Sequence, residues 1–98
     1  MTIEKNLNGT ELTLAITGRL DTITAPELEA ALMESLNGVE KLAFDLAALE
    51  YLSSAGLRVL LQAQKIMNKQ GEMVVRNVNE TINDIFDVTG FIDILTIE

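Results

Sequence analysis

Two serines, Ser53 and Ser54, stand side by side in the run Tyr51-Leu52-Ser53-Ser54-Ala55-Gly56-Leu57-Arg58, just ahead of a segment with helical periodicity. A hydroxyl at such a place has two uses. It can accept a hydrogen bond from a free N–H of the helix's first turn and cap it. It can also carry a phosphoryl group, whose roughly −1.5 to −2 charge is favoured by the positive end of the helix dipole and changes the surface without unfolding the helix. Spacing alone favours the plain cap. Gly56 either permits a close backbone approach or is a tolerated helix glycine costing up to about 1 kcal/mol. Arg58 either meets a partner or a phosphate, or is a solvated surface residue.

Much other chemistry is excluded by what the chain lacks. It contains no histidine and no cysteine, so no Ser-His-Asp triad, thiolate nucleophile, or imidazole or thiolate metal site can be built. Ser54 as a hydrolase nucleophile would have no base to activate it. Asp21 and Asp45 would have to serve any enzyme through their carboxylates, and nothing in the pattern pairs Asp45 with Glu50. Phosphate-cradling glycine loops are absent, which argues against ATP binding. The expectation is a protein with no catalytic residue, no cofactor and no metal. The net charge of −8 argues against nucleic acid and against an anionic membrane surface. From Asn77 to Glu98 there are five acids (Glu80, Asp84, Asp87, Asp93, Glu98) and no base. Solubility accounts for that run, with a basic partner surface as the other reading. The start, MTIEKNLNG, has no apolar leader, and no apolar run nears the ~18 residues a bilayer requires. A cytoplasmic chain without membrane insertion is expected.

Positioning the serines falls to the surrounding elements. Residues 3–7 alternate apolar and polar as a half-buried strand does. Asn8-Gly9 signals a tight turn into a second strand, 11–17, with Leu12, Leu14 and Ile16 on one face. Gly18 to Asp21 closes that strand. Thr24 has capping-box spacing to Glu27, with Pro26 in the first helical turn and a stripe of Leu28, Ala31, Leu32 and Leu36; Asn37-Gly38 ends the helix. A strand over 41–46 follows. A second helix starts at Ser53 or Ser54 and runs to about Lys69, its stripe being Leu57, Leu60, Leu61, Gln64 and Met67 or Ile66; Gln70-Gly71 stops it. A strand at 72–76 leads to a third helix capped by Asn79, with Ile82, Ile85, Phe86 and Val88 as apolar positions, ended by Gly90. A final strand is expected at 94–97. The order β-β-α-β-α-β-α-β predicts one α/β domain over residues 1–98: a mixed sheet, parallel where helices cross over, with helices packed mainly on one face. The apolar share of 48% suffices for one core. Edge strands at 3–7 and 94–97 would allow self-association, with a monomer as the default.

The run YLSSAGLRVLL resembles the signature of the STAS domain as found in bacterial anti-sigma factor antagonists. Gly18-Arg19-Leu20-Asp21, the Leu42–Leu46 strand, Gln70-Gly71 ahead of Met73-Val74-Val75, and Val88-Thr89-Gly90-Phe91 also sit where that family has equivalents, so the resemblance spans nearly the whole chain. It implies a partner-switching protein. The serine ahead of the small-Gly-Leu step, Ser54, would be phosphorylated by an anti-sigma factor serine kinase. The unphosphorylated form would bind that anti-sigma factor and free a sigma factor, and a protein phosphatase would reset the switch. The family often has Asp before this serine. Here Ser53 stands there, which makes Ser53 the alternative acceptor. Asp21 matches a family Asp that faces the partner, although a turn role is equally open from sequence. The implied partner-binding set is Asp21, Ser53, Ser54, Gly56 and Arg58. The alternative is an unphosphorylated STAS docking subunit of a transport or lipid-trafficking system.

Overall fold

Alternation at the start of the chain produces a hairpin. In the computed structural model, which describes residues 1–98, β1 (Thr2–Asn8) pairs antiparallel with β2 (Glu11–Leu20). Asn8 opposes Glu11, so the two turn residues are Gly9 and Thr10, with Gly9 at φ +64°. The remaining elements are α1 (Ala25–Ser35), β3 (Lys41–Asp45), β4 (Leu49–Leu52), α2 (Ser54–Gln70), β5 (Glu72–Arg76), α3 (Glu80–Thr89) and a 3-10 turn over Phe91–Asp93. The sheet runs β1-β2-β3-β5, and β4 joins it alongside the far end of β2. The pairings β2–β3, β2–β4 and β3–β5 are parallel. The mixed α/β sheet expected from the sequence is therefore present.

Three expectations differ from this structure. First, β2 does not close at Gly18. Its register shifts between Gly18 and Arg19, and the strand continues by pairing Arg19 with Tyr51 and Leu20 with Leu52. Second, its partner there is β4, a strand where the sequence predicts a loop. β4 has only four residues with a buried-exposed-exposed-buried pattern, so it carries no period-2 signal. Third, the strand expected at 94–97 is a single bridge. Val75 donates to Thr96 O and Glu98 donates to Val75 O, both at 2.9 Å, while Phe91–Asp93 coils tightly just before. The observed order is thus β-β-α-β-β-α-β-α.

One apolar cluster holds these elements together. Leu12, Leu14 and Ile16 of β2, Leu42 and Phe44 of β3, and Met73 and Val75 of β5 meet Leu28 and Leu32 of α1, Leu57, Leu60 and Met67 of α2, and Ile82 and Phe86 of α3. Each such side chain contributes about 1.5–3 kcal/mol by leaving water. The other sheet face carries Lys41–Glu72 and Arg76–Glu11 ion pairs at 3.8 and 3.9 Å. Exposed pairs of that kind add at most about 1 kcal/mol each, so burial decides the fold. Of the apolar positions expected on α3, Val88 is the exception: it is 86% exposed.

The C-terminal end of α2 is fixed by polar contacts to the loop after α1. Gln70 donates through Nε2 to Leu36 O and to Val39 O, each at 2.6 Å. The Glu72 N–H donates to Glu40 O at 3.0 Å. A Cβ on Gly71 would be driven into the Glu40 carbonyl, which is backbone and cannot swing away. Gly71→Ala is therefore expected to destabilise the protein by about 2–3 kcal/mol, in the range of core overpacking. Urea denaturation checks this, and a loss below about 0.5 kcal/mol would show that the Glu40 loop yields freely.

Candidate functional site

The bulge after Gly18 is what assembles the site. Because Leu20 pairs with Leu52, the residues that follow each strand, Asp21 and Ser53, emerge side by side. Ser53 N–H donates to Leu20 O at 2.9 Å and locks that juxtaposition. α2 then starts at Ser54 with Ser53 as its cap: the Ser53 hydroxyl accepts from the Gly56 N–H at 3.4 Å. That contact is long, so the cap is at the weak end of its range. Gly56 is buried, and a Cβ there would lie 2.7 Å from Leu20 Cγ and 2.7 Å from Leu52 Cδ1. Of the two sequence readings for Gly56, close approach is the one the geometry supports.

The two serines are thereby separated in role. Ser53 is half-buried and engaged in capping. Ser54 is exposed at the first helical position, and its hydroxyl makes no hydrogen bond within the chain. Arg58 lies one turn along the same helix and is exposed. Ser54 and Arg58 line a groove of about 320 Å³ with Leu57, Leu61, Thr89 and Phe91. On its other flank Arg58 borders a second groove, about 310 Å³, between α2 and the start of α1 at Thr22, Ala25 and Pro26. Arg58 is thus a ridge between two shallow grooves.

Asp21 has a defined local task. Its Oδ1 accepts from the N–H of Ile23 (3.0 Å), the N–H of Thr24 (3.1 Å) and the Thr24 hydroxyl (3.2 Å). Thr24, expected to cap α1 with its side chain, makes no side-chain cap bond; its hydroxyl accepts from the Asp21 N–H, and its single proton is shared between Arg19 O at 2.9 Å and Asp21 Oδ1 at 3.2 Å. Asp21 caps the turn leading into α1 because its short carboxylate reaches two N–H groups at once, as Asx turns do. The second oxygen, Oδ2, lies 3.8 Å from Arg19 Nε. Arg19 in turn lies 4.3 Å above the ring of Tyr51. The Thr24 N–H, first among the donors, together with the Ile23 N–H, the Thr24 hydroxyl and the Arg19 charge, holds the Asp21 carboxyl below the usual carboxylate range against a smaller opposing effect of burial.

Two residues at this end were not singled out from sequence. Ile23 is 87% exposed and Tyr51 is 38% exposed. A large aliphatic side chain between two threonines in a turn was the available signal for Ile23. Tyr51 was visible only as part of the serine segment. No cluster of three or more acidic side chains is arranged to hold a metal ion, and no helix is long and apolar enough to cross a membrane.

Comparison with known proteins gives the same picture of the whole chain. The family model described as STAS domain matches residues 2–98. A putative anti-sigma factor antagonist, BtrV of Bordetella bronchiseptica, is 34% identical over 88 residues, covering 88% of this chain and 76% of that protein. The crystal structure of an anti-sigma factor antagonist from Mycobacterium paratuberculosis superposes with a TM-score of 0.88 at 24% identity, covering 98% of this chain and 83% of that one. The phosphorylated form of the Bacillus cell fate determinant SpoIIAA superposes with a TM-score of 0.77 at 14% identity, covering 99% and 91%. These likenesses establish the same fold in both solved structures.

Two measurements test the local assignments. Ser53→Ala should cost about 0.5–1 kcal/mol through loss of the cap, while Ser54→Ala should cost nothing measurable, because its exposed hydroxyl bonds to nothing. Equal losses in thermal denaturation would refute the division of roles. For Asp21, the depressed carboxyl makes the charged form the stabilising one. Its contribution is complete above the ordinary carboxylate value of about 3.9 and fades as pH falls through the lower value in the folded protein. The stability gap between wild type and Asp21→Asn should therefore be constant near neutrality and narrow below about pH 4. A gap that does not change with pH would contradict the assignment.

Proposed function

This chain belongs to the STAS domain family, and we propose that it works there as an anti-sigma factor antagonist, a protein-binding switch controlled by phosphorylation of Ser54. The observation that carries the reading is the contrast between the two serines. Ser54 offers a free, exposed hydroxyl at the positive end of α2, whereas Ser53 is engaged as the cap. A kinase can reach Ser54 without unfolding the helix, and the N-terminal turn favours the anion that results.

The partner-facing surface in this reading is the end of the molecule where Asp21, Ser53, Ser54, Gly56 and Arg58 gather. Ser54 and Arg58 face the partner directly. Gly56 seats the helix that presents them, and Asp21 shapes the adjoining turn and presents the exposed Ile23. The unphosphorylated form binds an anti-sigma factor serine kinase. Phosphate adds roughly 1.5 to 2 negative charges where the partner sits and unseats it by repulsion rather than by reshaping the fold. A phosphatase removes the phosphate. The protein acts in this cycle as a substrate and binding partner, not as an enzyme, and as one STAS domain over residues 1–98.

The test is phosphorylation by an anti-sigma factor kinase encoded in the same genome, with ATP, read by intact mass and fragment mapping. Wild type and Ser53→Ala should gain one phosphate and Ser54→Ala none. Ser54→Asp should weaken kinase binding at least about tenfold, equivalent to ~1.4 kcal/mol. Modification that persists in Ser54→Ala would move the site to Ser53. No modification of either serine would leave the phosphorylation switch without a basis.

A further inference from the structure

The seven basic residues of this chain are unevenly placed. Four of them, Lys5, Arg19, Lys41 and Arg76, each lie within 4 Å of a carboxylate. The other three, Arg58, Lys65 and Lys69, are all on α2, all exposed, and none has an ion-pair partner. α2 contains no acid in its 17 residues, although the chain has 15 acids. At about 100° per residue, positions 54, 58, 62, 65 and 69 fall within roughly 80° of one another, on a strip about 22 Å long. Ser54 is at the head of that strip, Gln62 is in its middle, and the three cations fill the rest.

Helix energetics do not account for the pattern. A cation in the last turn is favoured by the helix dipole, which suits Lys69. Arg58 is near the opposite end, where the dipole opposes a cation. Neighbouring acids at i±4 would have stabilised each base, and in so acidic a chain their absence from the whole helix is conspicuous. Nothing within the molecule uses these charges.

We propose that the Arg58–Lys65–Lys69 stripe is the electrostatic docking track for the partner, and that the partner surface lying along α2 is acidic. The proposal rests on the reading that a protein partner binds at the Ser54 end of α2, and it assigns that partner's chemistry. It also supplies the sign of the switch. Negative charge added at Ser54 repels only a partner whose contacting surface is itself negative. A basic partner, suggested by the acids between Asn77 and Glu98, would instead be held more tightly. Phosphate on Ser54 sits one turn from Arg58 and, at roughly −1.5 to −2, offsets half or more of the three positive charges of the stripe, weakening the attraction most at the Ser54 end.

The experiment compares wild type, Lys65→Glu/Lys69→Glu and the control Lys5→Glu/Lys41→Glu. Binding to the anti-sigma factor kinase that binds the wild type is measured from low to high salt. All variants are checked by circular dichroism, since the altered side chains are at the surface. The stripe variant should lose at least about tenfold in affinity at low salt and show a flatter salt dependence. The control, which makes the same change in net charge on strands β1 and β3 rather than on α2, should change affinity less than about threefold, as a change in the general field alone would. Equal effects in both variants, or unchanged or tighter binding by the stripe variant, would overturn the proposal. Binding to phosphatidylserine vesicles that the stripe variant abolishes, with kinase affinity unaffected, would reassign the stripe to a membrane surface and overturn it as well. If wild type binds none of the kinases, the function proposed above fails and the track fails with it. If wild type binds and only the lysine reversal is silent, the track alone fails.

Discussion

Everything distinctive about this molecule depends on how closely α2 approaches the ends of two strands. Its first turn is seated on Leu20 and Leu52 with only the Gly56 hydrogen between helix and side chains. That contact is possible because β4 lies parallel to the last residues of β2, which brings Leu20 and Leu52 into register. β2 has already parted from β3 after Ala15, its pairing with β4 begins at Gly18–Leu49, and a register shift that skips Glu50 then sets Arg19 against Tyr51 and Leu20 against Leu52. The amide of Gly18 secures the bend by donating to Ala48 O at 3.0 Å. A local irregularity in one strand thus sets where a helix begins, and where the helix begins sets which serine is free.

The two serines show why geometry was needed beyond sequence. Their spacing to the apolar stripe fits a helix starting at either one. Only the hydrogen bonds from Gly56 N–H to Ser53, and from Ser53 N–H to Leu20 O, make Ser53 the cap. Similar logic holds for α1. The capping-box spacing of Thr24 and Glu27 is real as a pattern, but Asp21 captures the N–H groups first, and the Thr24 hydroxyl turns back to Arg19 O. A sequence pattern names the residues able to cap. The path of the preceding chain selects among them.

Legibility follows the length of each element and the regularity of its burial. β2 and the three helices could be read because their buried positions recur at a strand or helix period, or because one strong cap such as Asn79 marks their start, and β5 because its continuous apolar run Met73–Val75 follows the break at Gly71. β4 could not, since four residues with both ends buried match neither period. The C-terminal segment reads as strand from its composition, yet it makes one bridge because the tight turn over Phe91–Asp93 uses up its length. In the site, the family signature located the segment. The neighbouring contribution of Ile23 and the Arg19–Tyr51 stack required the strand pairing to be known first.

Stability and the exposed outer face of α2 draw on different parts of this structure. The apolar cluster beneath the sheet supplies most of the folding free energy, at about 1.5–3 kcal/mol per large buried side chain. Surface charges contribute little to that sum, since exposed ion pairs give at most about 1 kcal/mol each. Stability therefore depends strongly on the buried Phe44 and Phe86 and little on the charges on α2. A helix anchored on its inner face by Leu57, Leu60 and Met67 can present unpaired cations and a free hydroxyl on its outer face without endangering the fold. Such an arrangement suits a switch that acts by charge. Modifying Ser53 would remove a cap and disturb the seat of Gly56. Modifying Ser54 disturbs no contact within the chain, so its whole effect falls on whatever lies against the surface.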